Sequence, residues 1–173
     1  MENQVNNLVN QPCYDKAGNF IGWYSRSVAV VGFVFCKDKQ GVWHVLGSER
    51  GAGTPDHQGM WNCPCGYLDF NETTMQAICR EVKEEVGIII NESDVEFIGY
   101  EDVPTANRQN ITFRFAVVIN DKTIDALPFS HEGNEENEVG DIRWIALTDL
   151  GQYEWAFGHG KRIIEIATLK GLV

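Results

Sequence analysis

The stretch from Gly66 to Ile88, GYLDFNETTMQAICREVKEEVGI, constrains this chain more than any other. It sets a glycine-bearing loop ahead of a helix that crowds Glu81, Glu84 and Glu85 beside Arg80. At about 100° per residue, the three glutamates span roughly a 100° arc of one helix face. Met75, Ile78, Cys79, Val82 and Val86 follow the i, i+3, i+4, i+7 pattern, which predicts an apolar stripe on the opposite face. Thr73 followed by Gln76 is a capping-box signature, so the helix is expected to begin at Thr73 and stop at Gly87. Two carboxylates about 5 Å apart repel by roughly 3 kcal/mol at an effective dielectric near 20. A hard divalent cation held by oxygen ligands offsets that repulsion, and Mg²⁺ or Mn²⁺ suits such a set. A solvated acidic face is the plainer reading of a charge run, but it leaves the spacing unexplained.

The spacing is G-x5-E-x7-R-E-U-x-E-E-x-G-U with U apolar, met at Gly66, Glu72, Arg80, Glu81, Val82, Glu84, Glu85, Gly87 and Ile88. This pattern is the Nudix box, and from about residue 26 to 170 the chain resembles the Nudix hydrolase family. The resemblance implies an α/β fold, a Nudix-like α/β/α sandwich around a mixed β-sheet. It also implies metal-dependent hydrolysis of a pyrophosphate bond in a nucleoside diphosphate linked to another moiety. On that basis Glu81, Glu84 and Glu85 are the metal ligands, and Glu81 or Glu85 handles the proton of the attacking water. Arg80 would orient and partly neutralise the carboxylates, with Glu72 as its ion-pair partner, a structural role as much as a functional one. Gly66 would let the loop fold tightly, so that the backbone carbonyl of Cys65 faces a metal. Here the chain departs from many relatives, which carry Gly-Gly where it has Cys65-Gly66. The Cys65 thiol is read as a packed small group rather than a nucleophile. A further carboxylate ligand is expected from the loop before the last strand. Glu138 falls there, six residues before Trp144, with Glu132, Glu135 and Glu136 as neighbours.

Substrate contacts are harder to place. Arg50, ending the strand before the glycine-rich loop, is a candidate for the substrate phosphates, with Arg26 and Arg108 as weaker ones. Trp23, Tyr24, Trp61 and Phe157 either stack on a base or pack in the core; Trp61 and Phe157 are the candidates nearest the site. His159 follows Phe157-Gly158 at the start of the last helix, in a phrase, WAFGHGKRIIEIA, that loosely resembles the tail of Nudix proteins acting on ADP-ribose-like ligands. Pro104 lies sixteen residues beyond Ile88, a placement that the resemblance associates with ADP-ribose hydrolases. ADP-ribose or a nucleotide sugar is therefore preferred as substrate. The alternatives are a nucleoside triphosphate pyrophosphohydrolase and a non-catalytic ligand-sensing module, the latter disfavoured by the complete glutamate set.

The rest of the chain sets the frame. Its 173 residues read as one domain, with 1–25 an N-terminal extension or edge hairpin. Strands are expected at 28–35, 42–50, 95–102, 110–119 and 141–147, a polar, acidic loop at 120–139, and a C-terminal amphipathic helix at 159–170. No apolar run reaches the roughly 18 residues of a membrane span, and the polar start MENQVNNLVNQP does not read as a secretory signal. Five cysteines without a regular framework fit a reducing cytoplasm, and Cys63 and Cys65 have no second pair to complete a zinc site. A net charge of −11 argues against nucleic acid polymers as partners but not against a small nucleotide bridged by metal. A homodimer is possible, with Trp23 and Tyr24 pairing across subunits or simply capping the sheet.

Overall fold

The run VAVVGFVF is apolar without alternation because both of its faces are covered. In the computed structural model, which describes residues 10–105, 108–130 and 137–173, it lies in β3 (Val28–Lys37). Val30 and Val34 pack against Ile78, Val82 and Val86 of α1 (Thr74–Val86). On the other face Val31, Phe33 and Phe35 pack with Ile163 and Ile166 of α2 (His159–Leu169). The two helices thus cover opposite faces of one sheet, each buried aliphatic side chain contributing about 2 kcal/mol.

The sheet also contains β4 (Trp43–Arg50), β5 (Trp61–Asn62), β6 (Cys65–Tyr67), β7 (Val95–Glu101), β8 (Ile111–Thr123) and β9 (Val139–Ala146). Its order is β5-β4-β3-β8-β7, with β6 also paired to β3 and β9 to β4. β3 and β8 run parallel and the other pairs antiparallel, so the sheet is mixed. The fold is the expected α/β/α sandwich. β6 hydrogen-bonds to Ala29–Val31, and this sets Gly66 against Glu81 and Cys65 against Glu85, in the second half of α1.

Two expectations change. Residues 11–24 do form a hairpin, β1 (Gln11–Tyr14) with β2 (Phe20–Tyr24), but as a separate two-stranded sheet rather than an edge of the central one. Trp23 and Tyr24 are exposed on it and do not cap the sheet. The segment 120–139 is not simply a loop: β8 continues to Thr123, Ile124–Ala126 makes a 3₁₀ turn, and Leu127 is buried. Its apolar residues, Ile124, Leu127 and Phe129, were outweighed in the sequence by the surrounding charge; Phe129 stacks on Trp144 at 6.4 Å. No helix among the described residues is long and apolar enough to cross a membrane.

Candidate active site

α1 is capped as its sequence demands. Thr73 Oγ1 accepts from Gln76 N–H and the Gln76 side chain accepts from Thr73 N–H, while Gly87 takes the left-handed conformation at φ 77°. The glutamates do not all stand opposite the apolar stripe. Glu85 lies only about 20° from Ile78 around the helix, at the border of the buried face. Glu81 is buried at 9 % exposure, and the Glu85 carboxylate is tucked beneath the β5–β6 loop. Glu85 Oε1 accepts from Cys65 N–H at 3.1 Å, and its Oε2 lies 3.2 Å from the Ser48 hydroxyl. Ser48 is equally close to Asn62 Oδ1, and the Asn62 amide reaches Cys65 Sγ at 3.3 Å.

Arg80 ties the rest together. Its Nε and Nη2 bond Glu72 at 3.1 and 2.7 Å, and Nη2 also donates to the Tyr67 carbonyl. The remaining nitrogen, Nη1, sits between Glu81 Oε1 at 2.8 Å and Glu84 Oε2 at 3.0 Å. Gly66 lies directly against Glu81: a Cβ at that position would come 2.2 Å from Oε1. Burial raises the Glu81 carboxyl above its ordinary value and pushes Glu85 up to about 8. Bonding to Glu72 holds Arg80 firmly charged. Burial, reinforced by Glu85, pushes the Cys65 thiol up to about 12, which leaves it inert as a nucleophile.

These groups open on one cavity of about 630 Å³, lined also by Arg50, Arg108, Glu138, Phe157 and His159. Arg50 bonds Asp56 through Nη2 at 2.7 Å and lies 4.9 Å above the Phe157 ring. Glu138 reaches the cavity from the strand-entry loop, where its carbonyl accepts from Gly51 N–H at 2.7 Å. Glu132, Glu135 and Glu136 lie outside the described residues. Trp61 does not line the cavity. It is buried in the core against Tyr153, edge-on at 5.0 Å, because β5 pairs with β4 and turns its ring inward. Arg26 is used structurally, donating to the carbonyls of Asp102, Gln109 and Asn110. Pro104 is exposed in the β7–β8 loop. Ser48 and Asn62 were not read from the sequence; the available signal was two polar residues at buried positions of strands.

His159 is buried, and its Nδ1 accepts from the Cys63 backbone N–H at 3.1 Å. A backbone amide can only donate, so the neutral ring carries its proton on Nε2. Burial first, then Arg114, Arg50 and Arg108, hold its pKa down at about 3 against an ordinary 6.5. The unfolded chain therefore binds the extra proton first as pH falls. The stabilisation from the neutral ring is complete above about pH 6.5 and is lost progressively toward about pH 3. Urea unfolding of wild type and His159→Gln at pH 7 and pH 4 should show a loss on acidification that is larger in wild type by a few kcal/mol. Equal losses would mean that the ring titrates normally.

Among the described residues no three acidic, imidazole or thiol groups converge closely enough to enclose an ion. The reason is visible: Arg80 Nη1 stands between Glu81 and Glu84, and Glu85 turns to Cys65 and Ser48. The donor set nonetheless fits a hard divalent cation, being three carboxylates on one helix with the close glycine that lets a backbone carbonyl approach.

A mixed sheet between two helices, with a glycine loop and a glutamate-rich helix at one end, defines the Nudix class of fold. The NUDIX domain family matches residues 25–165, and the chain belongs to it. It is 28 % identical over 153 residues to "Nudix hydrolase 8" of Arabidopsis thaliana, covering 82 % of this chain and 36 % of that protein. A second relative, the "NAD-capped RNA hydrolase NudC" of Pseudomonas aeruginosa, is 26 % identical over 92 residues, 53 % of this chain and 29 % of that protein. The chain thus spans about a third of the length of these curated relatives. Among solved structures it resembles the NUDIX domain of Shewanella oneidensis NrtR complexed with ADP-ribose (TM-score 0.67, 19 % identity, 90 % of this chain and 92 % of that one). It also resembles the bifunctional NMN adenylyltransferase/ADP-ribose pyrophosphatase of Francisella tularensis complexed with AMP and a manganese ion (TM-score 0.62, 21 % identity, 86 % and 42 %).

Proposed function

We propose that this protein hydrolyses the pyrophosphate bond of a nucleoside diphosphate joined to another moiety, with ADP-ribose or a nucleotide sugar preferred. The observation that carries the proposal is the box helix: one guanidinium joins Glu72, Glu81 and Glu84 while Gly66 abuts Glu81, with Gly66, Arg80, Glu81 and Glu84 lining a cavity of ligand size. Glu81, Glu84, Glu85, the Cys65 carbonyl and Glu138 would hold Mg²⁺ or Mn²⁺. When bound, such ions neutralise phosphate charge and lower the pKa of water.

The chain's own residues supply the rest. Arg80 is anchored to Glu72 and the Tyr67 carbonyl by Nε and Nη2, so it keeps its place whether or not Nη1 touches the two glutamates. The proton of the attacking water passes to a carboxylate oxygen of Glu81 or Glu85. Arg50, held over Phe157 by Asp56, faces the cavity as a cation for the substrate phosphates, and His159 offers a neutral Nε2–H donor.

A substrate panel with Mg²⁺ tests the proposal. ADP-ribose should give AMP and ribose 5-phosphate, and EDTA should abolish the reaction. Activity undiminished by chelator would contradict metal-assisted attack, and turnover of triphosphates alone would replace the ADP-ribose preference with the triphosphate reading.

A further inference from the structure

At the end of β7, Glu101 is shared by three guanidiniums. Arg108 Nη2 lies 2.7 Å from its Oε1, Arg114 of β8 bonds its Oε2, and Arg162 of α2 lies 3.9 Å from the same oxygen. Arg162 also bonds Glu165 at 2.7 Å, and Lys161 lies 3.8 Å from Glu165. Four cations therefore answer to two carboxylates, a local excess of two positive charges in a chain whose net charge is −11.

The cluster reaches the cavity through Arg108. Arg108 lines it directly, and His159, another lining residue, feels the charges of Arg114 and Arg108. The side chains of Arg108 and Arg114 keep 29 % and 16 % of their surface exposed. Arg26 fastens the backbone on both sides of the β7–β8 loop, which fixes the rim that carries Arg108.

We propose that Arg108, Arg114 and Arg162 form a binding site for a phosphomonoester that the substrate carries apart from the pyrophosphate being cleaved. The inference rests on the pyrophosphatase reading, which assigns the scissile phosphates to the glutamates of α1. A phosphomonoester brings a charge of about −1.5 to −2 at pH 7, which matches the excess, and its oxygens suit guanidinium forks. A singly charged carboxylate would leave half of that excess unanswered. In so acidic a chain, an island of this kind also draws an anion against the general field.

The test uses two matched substrate pairs, NADH with NADPH and dephospho-coenzyme A with coenzyme A, each differing by one phosphomonoester. Wild type should show KM about tenfold lower for the phosphorylated member of at least one pair, and Arg108→Gln and Arg162→Gln should each bring that ratio close to one. In parallel, adenosine 2′,5′- or 3′,5′-bisphosphate should raise the Tm of wild type more than AMP does, an advantage that the variants lose. Equal KM values within both pairs, or a ratio that neither variant changes, would overturn the inference. If neither pair is hydrolysed, the Tm comparison alone decides whether the cationic cluster binds a phosphomonoester, while hydrolysis of ADP-ribose separately decides the pyrophosphatase reading.

Discussion

Glu84→Gln should lower kcat by about two orders of magnitude or more while leaving the fold intact. Of the three box glutamates, Glu84 is the one best suited to this test. Its side chain is 43 % exposed, so little packing depends on it. Its contact is with Arg80 Nη1 at 3.0 Å, and a glutamine oxygen can accept the same bond. What the substitution removes is the negative charge, and with it most of the affinity of that oxygen for a hard divalent ion. Turnover of ADP-ribose under saturating Mg²⁺, measured beside a urea midpoint, separates the two effects. Near-normal kcat would take Glu84 out of the metal set and leave its pairing with Arg80 as its whole role.

The parts of this molecule that were legible in the sequence are those set by local chemistry. The capping box at Thr73 and Gln76 and the glycine stop at Gly87 bound α1 where they were expected, and the unbroken apolar run of β3 signalled burial on two faces. The pairing of Arg80 with Glu72 follows from their fixed spacing across one loop and two helical turns. Less legible was anything that depends on which side chains meet after folding. Glu85 sits at the border of its helix face, and only the loop carrying Cys65 decides that it turns inward. Ser48 and Asn62 are unremarkable as letters and acquire meaning by lying under that carboxylate. Trp61 and Phe157 are both aromatics near the site, yet one faces the core and the other the cavity, since a two-residue strand aims the first and a left-handed kink at φ 56° aims the second. Glu101 and its arginines come from β7, the following loop, β8 and α2, a sequence separation that no short motif encodes.

Gly66→Ala should reduce turnover by about a hundredfold at a modest cost in stability, about 1–3 kcal/mol. The added methyl carbon would stand 2.2 Å from Glu81 Oε1 and 2.4 Å from its Cδ, so one side must move. The backbone at Gly66 is held by pairing with Val30 in β3, a fully buried strand residue, and yields less readily than a side chain. Glu81 must then swing away, losing its position beside Arg80 Nη1. A displacement of about an ångström in a metal-holding carboxylate is enough to cost the reaction its geometry, even where the fold survives. The neighbouring substitution Cys65→Ala sharpens the point. Its thiol accepts only a weak bond from Asn62 at 3.3 Å, and the backbone carbonyl that would face the ion is unchanged, so activity should fall little. If Gly66→Ala keeps turnover within about twofold of wild type while Cys65→Ala does not, the close approach of loop to carboxylate is incidental, and the side chain at position 65 rather than the space at position 66 serves the chemistry.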